Sequence, residues 1–183
     1  MKVVCISGKA GSGKDTVAEM MYAQLKMSGK RVLITHYADL VKYVCRAFFG
    51  WNGEKDEAGR TLLQYVGTDR VRTQSPDYWV NFVASMLTFF NGDWDVVLIP
   101  DCRFPNEVEM MRHYGFDTTA VRVERSNFET KLTAEQQAHS SETAMDNFEF
   151  DYVLHNHGSL DDLRNAVVGL RMTILEKSHE DIS

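Results

Sequence analysis

The stretch Gly8-Lys9-Ala10-Gly11-Ser12-Gly13-Lys14-Asp15-Thr16 decides the fold. Residues 3–6 before it form a short apolar run, typical of a central parallel strand buried on both faces. After Lys14, apolar residues recur at spacings of three and four, which predicts an amphipathic helix. Residues 8–14 fit the phosphate-loop pattern, in which glycines let N–H groups point at an anion and the lysine adds a charge. The alternative, a chance glycine turn before a lysine, leaves the strand and the helix unexplained.

One position departs from the common phosphate-loop pattern. The Ser or Thr that normally follows the lysine is replaced by Asp15, and Thr16 comes next. A carboxylate here could bind Mg²⁺ directly or through water, since Mg²⁺ prefers oxygen ligands. It could equally cap the helix, because negative charge is favoured in the first turn. Both alternatives stay open at this point.

Length, charge and cysteine usage limit the class of protein. The 183 residues suit a single domain over residues 1–183. The net charge of -6 argues against a nucleic-acid polymer as partner. Cys5, Cys45 and Cys102 lack disulfide or metal-ligand spacing, so we expect reduced thiols and a cytoplasmic location. We expect no membrane partner either, because no apolar run could cross a bilayer and no signal-peptide pattern precedes the first strand.

Strand and helix signals alternate along the chain. Four further apolar runs, at residues 31–35, 95–99, 118–123 and 152–154, predict strands. The alternation predicts an α/β fold, a three-layer α/β/α sandwich with a mainly parallel five-stranded sheet.

The last long helix is predicted to begin at Ser159, where Ser159 and Asp162 resemble a capping box. Its predicted apolar stripe consists of Leu160, Leu163, Val167, Leu170 and Ile174. Two stretches exceed a minimal sandwich. Residues 37–94 are predicted to hold two or three helices, and residues 124–150 form a polar segment.

The end of the third strand carries a second signal. Asp101 and Arg103 follow the apolar run, and an extended chain would point both to one side at the carboxyl end of the sheet. Pro105 suits the first turn of a helix, with Glu107 near its start. A surface ion pair with a capping glutamate is the alternative. The neighbouring phosphate loop favours a functional site, because sites gather where parallel strands end.

Five segments together carry a family resemblance. They are Ser-Gly-Lys-Asp-Thr (12–16), Tyr-Ala-Asp-Leu-Val-Lys (37–42), Leu-Gln-Tyr-Val-Gly-Thr-Asp (63–69), Asp-Cys-Arg-Phe-Pro-Asn-Glu (101–107) and Glu-Phe-Asp-Tyr-Val-Leu-His-Asn-His-Gly-Ser-Leu-Asp-Asp-Leu (149–163). Their order and spacing resemble the bacteriophage deoxynucleoside monophosphate kinases over nearly the whole chain. Asp15 belongs to that family's pattern. The resemblance implies a P-loop kinase fold, located in the host cytoplasm if the chain is of phage origin. It also implies transfer of the γ-phosphoryl group of ATP to a nucleoside monophosphate, with Mg²⁺.

The resemblance further implies residues that bind ATP and the metal. The ATP set consists of Gly11, Ser12, Gly13, Lys14, Asp15, Thr16 and Asn156, the last beside the adenine. Mg²⁺ is assigned to Asp15, Thr16 and Asp101, and Asp101 could serve the acceptor instead. Lys14, Arg103 and Arg125 are the expected catalytic residues.

Residues 37–94 correspond, by the same resemblance, to the acceptor-binding insertion. The implied acceptor set is Lys9, Asp39, Lys42, Arg60, Gly67, Thr68, Arg70, Trp79, Asp101, Arg103 and Glu107. The insertion also offers Arg46 and Arg72, but Arg60 is favoured as the phosphate clamp, with Arg70 close behind. Trp79 is expected to stack on the base or to form a wall.

Residues 124–150 occupy the position of a lid. Arg125 is expected to swing onto the γ-phosphate, and Lys131 lies within the lid. Thr133 and Gln136 form a capping-box pattern, which predicts a short helix. The polar residues 139–142 are interpreted as a hinge or a solvated helix end, with ligand contact as the alternative.

Two other functions compete with the leading one. The chain could be a different small-molecule P-loop kinase, of the dephospho-coenzyme A or phosphomevalonate type, or a non-kinase NTP-binding switch. The density of arginines and carboxylates in the insertion and lid argues against a switch. The sequence leaves open the preferred base or sugar, and whether the protein is a monomer or a homodimer.

Overall fold

Five parallel strands form the central sheet of the computed structural model, which describes residues 1–126, 130 and 132–180. The strands are β1 (Lys2–Ser7), β2 (Val32–Ile34), β3 (Val96–Cys102), β4 (Asp117–Glu124) and β5 (Tyr152–His155). Their order is β2-β3-β1-β4-β5, and every pair of neighbours is parallel. The predicted five-stranded sheet is confirmed. Lys131 lies outside the described residues.

Helices cover both faces of the sheet and fill the two longer segments. They are α1 (Lys14–Met27), α2 (Ala38–Phe49), α3 (Glu57–Gln64), a π-helix (Tyr65–Arg72), α4 (Tyr78–Phe89), α5 (Pro105–His113), α6 (Ala134–Ala138), α7 (Ser140–Thr143) and α8 (Leu160–Glu180). Within the described part of the chain, no helix is both long and apolar enough to cross a membrane.

The central strand β1 is buried along its whole length. Its side chains alternate between two cores, because successive residues of a strand face opposite sides of the sheet. Val4 and Ile6 belong to the core beneath α1 and α8. Val3 and Cys5 belong to the core beneath α4 and α5. This burial on both faces confirms the predicted three-layer α/β/α fold.

The ends of α8 and α6 follow their predicted capping boxes. Ser159 Oγ accepts from Asp162 N, and Asp162 Oδ2 accepts from Ser159 N at 2.9 Å. Gln136 N donates to Thr133 Oγ1 at 3.2 Å, which begins α6. The predicted apolar stripe of α8 was wrong at Leu160, which is 65% exposed. Leu160 is the first residue of the helix and points to solvent, whereas the rest of the stripe is buried.

The insertion at residues 37–94 has a small core of its own. It consists of Val41, Cys45, Trp51, Val66 and Trp79. Gly59, near the start of α3, approaches the loop before it so closely that a Cβ atom would lie 2.1 Å from Glu54 O. The helices of the insertion therefore pack against one another, while α4 also packs on the sheet.

A matched pair of methionines in α1 tests this assignment of the core. Met21 is fully buried and Met27 is 89% exposed. Met21→Ala should lower the free energy of unfolding by about 2–5 kcal/mol, because it removes buried methylenes and leaves a cavity. Met27→Ala, the control, should change it by less than about 0.5 kcal/mol. Urea unfolding of both variants measures the difference, and equal losses would contradict the packing of α1.

Candidate active site

A cavity of about 610 Å³ opens where β1 and β3 end. The predicted site residues that line it are Gly11, Lys14, Asp15, Lys42, Arg60, Gly67, Thr68, Trp79, Asp101, Arg103, Glu107 and Arg125. The other predicted residues lie outside its lining: Lys9, Ser12, Gly13, Thr16, Asp39, Arg70 and Asn156. The structure therefore brings the phosphate loop, the insertion and the end of β3 to one cavity.

The phosphate loop leads into α1 without a side-chain cap. Gly13 takes the N-cap position with φ 94°, a left-handed conformation that favours glycine. The first N–H groups of α1 are therefore left to bind an anion, with the positive end of the helix dipole behind them. Asp15 makes no hydrogen bond or ion pair among the described residues, but it lies in the first turn of α1, where negative charge is favoured.

Asn156 holds the phosphate loop against the end of β5. Its Nδ2 donates to Ser12 O at 2.8 Å, and its backbone N donates to Glu124 O at 2.7 Å. A Cβ atom on Gly13 would lie 2.6 Å from the same Nδ2, so this contact needs glycine. The predicted ATP residue Asn156 thus supports the loop from outside the main cavity.

Two features of the loop fit a phosphate ligand. The Ser12 hydroxyl is buried and has no hydrogen-bond partner among the described residues. Lys14 is 6% exposed, and its Nζ makes one long hydrogen bond, of 3.4 Å, to Lys9 O. Burial and the charge of Arg103 lower the pKa of Lys14, while nearby carboxylates oppose the shift. A phosphate would satisfy both groups.

Asp101 links β3 to α2. Its Oδ1 accepts from Tyr37 N at 3.0 Å and its Oδ2 from Ala38 N at 2.9 Å, so both oxygens already hold the start of α2. No group of three His, Cys, Asp or Glu residues that could hold a metal occurs in the described part of the chain. Mg²⁺ in phosphate sites needs only one or two carboxylates, with phosphates and waters completing its shell. Asp15, exposed on the cavity wall, fits such a sparse site better than Asp101.

Arg72 and Glu107 form a buried ion pair in the cavity wall. Arg72 Nη2 lies 2.5 Å from Glu107 Oε1, and the Arg72 guanidinium lies 3.9 Å from the centre of the Phe104 ring. Glu107 Oε2 accepts from the backbone N of Arg103 at 2.6 Å and of Phe104 at 3.1 Å. Burial raises the pKa of Glu107 to about 7, although Arg72 and these N–H donors act in the opposite direction.

The sequence favoured Arg70 over Arg72 as an acceptor-site residue. In the structure Arg72, and not Arg70, lines the cavity. Arg72 is 9% exposed and lines the cavity, whereas Arg70 is exposed outside it. Residues 65–72 form a π-helix, so they are helical throughout. Within a helix Arg72 lies about one turn after Thr68 and shares its face, whereas Arg70 lies about half a turn after it and faces away.

Glu142 is a site residue that the sequence did not identify. Its side chain is 6% exposed, its Oε2 accepts from Ala10 N of the phosphate loop at 3.0 Å, and its Oε1 pairs with Arg103 Nη1. The interpretation of residues 139–142 as a solvated helix end was wrong for Glu142, which lines the cavity as the alternative of ligand contact would have it. Polarity was the only signal in the sequence, and polarity does not distinguish a solvated carboxylate from a paired one.

Four other predicted residues have specific partners. Lys9 Nζ donates to Glu142 O at 2.6 Å and pairs with Asp146, beside a second cavity of about 270 Å³. Lys42 Nζ pairs with Asp39 at 2.7 Å, and Arg125 Nη1 lies 3.3 Å from Gly11 O.

Trp79 forms a wall of the cavity. It is 4% exposed, and its Nε1 donates to Gly67 O at 2.8 Å. This hydrogen bond fixes the indole against the π-helix, so the placement corresponds to the wall alternative and not to a free stacking platform.

The fold and this cavity define a P-loop kinase. The family model for deoxynucleotide monophosphate kinases matches residues 41–167, and the chain belongs to that family. The comparison with curated proteins gives no match.

Solved kinase structures share the fold at low identity. The APS kinase CysC of Mycobacterium tuberculosis, in complex with AMPPNP and APS, is 14% identical over 96% of this chain and 97% of its own, with a TM-score of 0.54. A gluconokinase from Sinorhizobium meliloti 1021 is 14% identical over 100% of this chain and 98% of its own, with a TM-score of 0.55. At these identities the likeness concerns the fold alone.

The pKa of Glu107 predicts a pH-dependent stability. The folded-state pKa is about 7 and the usual value is 4.5, so between these pH values the folded protein holds one proton more than the unfolded chain. The contribution of Glu107 to the free energy of unfolding should therefore fall as pH rises through this window. Residue 107 cannot ionise in Glu107→Gln, so this variant should lack the fall. The difference in the free energy of unfolding between wild type and variant should therefore shrink as pH rises, and urea unfolding at several pH values measures it.

The control for that measurement is Glu135→Gln, which removes an exposed carboxylate from α6. Its stability profile should run parallel to that of the wild type. A Glu107→Gln profile that is also parallel would contradict the raised pKa.

Proposed function

We propose that the protein transfers the γ-phosphoryl group of ATP to a nucleoside monophosphate, with deoxynucleotides as the expected acceptors, giving ADP and the diphosphate. The observation that carries this proposal is that one cavity contains both Lys14 of the phosphate loop and the arginines of the insertion and β3. In phosphoryl transfer the main tasks of the protein are to position two phosphates and to neutralise their charge. A cavity with cations at both ends suits that task, and the family supports a nucleotide acceptor.

On the ATP side, Lys14 and the loop amides would hold the phosphates. Asp15 would support Mg²⁺, with Thr16 and Asp101 as the further predicted ligands, and the ion would neutralise charge on the β- and γ-oxygens. Arg125, at the cavity edge beside Gly11 O, stands where a lid arginine could reach the transferring group.

On the acceptor side, Arg60 is the cation best suited to the monophosphate. Its side chain lines the cavity and makes no hydrogen bond or ion pair with any residue that the structure describes. Arg72, in contrast, is already paired with Glu107. A guanidinium with unused donors suits a phosphate dianion, because its planar fork matches two phosphate oxygens.

The acceptor requirement tests the proposal directly. Wild-type protein with ATP and Mg²⁺ should release ADP only when a nucleoside monophosphate is added, in a panel of all ribo- and deoxynucleotides. Lys14→Ala should lower kcat by at least about 100-fold, because it removes a positioned charge from the transferring phosphate. A circular dichroism melt should show that this variant is folded. ADP release that no member of the panel stimulates would reject the proposal.

Two arginines that the sequence assigned to the acceptor test where the structure locates the acceptor site. Arg60 lines the cavity, and Arg70 lies outside it. Arg60→Ala should raise the KM for the acceptor by roughly 10- to 100-fold, the loss of charge-assisted hydrogen bonds worth about 1.5–3 kcal/mol. The KM for ATP should stay within about twofold. Arg70→Ala removes the same side chain from outside the cavity and should have a much smaller effect. Equal effects of the two variants would contradict the placement of Arg60.

A further inference from the structure

One carboxylate bridges the two halves of the cavity. Glu142 Oε2 accepts from Ala10 N, which belongs to the loop assigned to ATP. Glu142 Oε1 pairs with Nη1 of Arg103, which belongs to the segment after β3 assigned to the acceptor. The carbonyl of Ser141 accepts from the same Nη1 at 3.0 Å. Residues 141 and 142 thus contact both the loop assigned to ATP and the arginine assigned to the acceptor.

Arg103 is anchored at one end of its guanidinium only. Both of its side-chain hydrogen bonds leave from Nη1. Among the described residues, Nη2 and Nε have no hydrogen-bond partner. The backbone N of Arg103 is held separately by Glu107 Oε2, so the residue is fixed at its base and at one Nη atom. The remaining donors stay available to a ligand, which is the arrangement expected of an oriented arginine.

The bridge is also largely removed from water. The Glu142 side chain is 6% exposed and that of Arg103 is 34% exposed. Hydrogen bonds to ionised groups are short and strong, and low local polarity strengthens them further. Glu142 therefore constrains Arg103 more firmly than a surface ion pair would.

The segment that carries Glu142 makes further contacts that do not use its carboxylate. We call residues 139–146 the bridging segment. Lys9 Nζ donates to Glu142 O at 2.6 Å and pairs with Asp146, which also pairs with Arg122 at 3.2 Å. At the other end, His139 Nε2 lies 3.1 Å from Asp69 Oδ1 in the π-helix.

We infer that Glu142 is a positioning residue for phosphoryl transfer, which holds Arg103 in a fixed relation to the phosphate loop. The inference rests on the proposed function for the identity of the reaction. A different role for the same contacts is that the carboxylate stands in for a phosphate and is displaced when the substrate arrives. The hydrogen bonds of Arg103 favour positioning, because both leave from Nη1, and a phosphate can bind Nη2 and Nε while Glu142 stays in place.

The variant Glu142→Gln keeps the shape of the side chain and removes its charge. Positioning predicts a fall in kcat of roughly tenfold to a hundredfold, because small displacements of a catalytic group cost that much. The KM for ATP should change by less than about threefold, since Lys14 and the loop amides remain. Glu135→Gln, which removes an exposed carboxylate from α6 next to the bridging segment, is the matched control and should keep the wild-type kcat.

Amide hydrogen exchange supplies a readout that does not depend on turnover. Ala10 N–H donates to Glu142, so its exchange in the ligand-free protein should become about 10- to 100-fold faster in Glu142→Ala, the loss of a hydrogen bond to a charged group. Alanine replaces glutamine in this measurement because a glutamine amide oxygen can still accept from Ala10 N. Exchange in Glu135→Ala should match the wild type. Unchanged exchange at Ala10 in Glu142→Ala would overturn the bridge itself.

The kinetic outcomes separate the inference from the proposed function. A kcat that is unchanged or raised in Glu142→Gln, or tighter binding of a non-hydrolysable ATP analogue, would overturn positioning and assign the stand-in role. A wild-type protein that releases no acceptor-dependent ADP would reject the proposed function, and with it the positioning role. Exchange at Ala10 would then still decide whether the bridge exists.

Discussion

The uncapped amino terminus of α1 is the constraint on which the rest of the site depends. A strand buried on both faces must turn within a few residues into a helix whose first N–H groups stay available to an anion. Gly13 makes the turn possible through its positive φ, and Asn156 keeps the loop in place from the end of β5. Because β1 is the middle strand, this turn lies at the centre of the sheet's carboxyl edge, where β3 delivers Asp101 and Arg103.

Two of the cations of the cavity are held in place by carboxylates that are themselves buried. Arg72 is paired with Glu107, and Arg103 with Glu142. Such pairs are weak evidence for stability, because removing both charges from water is costly. In this cavity the pairs fix the orientation of Arg72 and Arg103 before any ligand binds. The protein as a whole carries a net charge of -6, so the cations of the cavity provide a local site for an anionic substrate on an acidic protein.

Much of the fold and part of the site could be predicted from the sequence. A physical reason separates the features that could be predicted from those that could not. Apolar runs located all five strands, and the capping boxes located the starts of α6 and α8, since both signals are local. The phosphate loop and the Asp101–Arg103 pair were found because strand ends converge. Arg72 was passed over in favour of Arg70, although in the helix at Tyr65–Arg72 it is Arg72 that shares the face of Thr68. Glu142 was missed because its partners, Ala10 and Arg103, lie far from it in sequence.

The two halves of the cavity are mechanically one unit, and this follows from where the carboxylates bind. Glu107 joins the backbone of Arg103 to the π-helix through Arg72, and Glu142 joins the side chain of Arg103 to the phosphate loop. Arg103 therefore lies on a chain of contacts that runs from the phosphate loop to the insertion. A shift of the insertion can act on Arg103 through Glu107, and a shift of the loop can act on it through Glu142. A second link, from His139 to Asp69, joins the bridging segment to the insertion. Alignment of donor and acceptor thus depends on two buried carboxylates that need not touch either substrate.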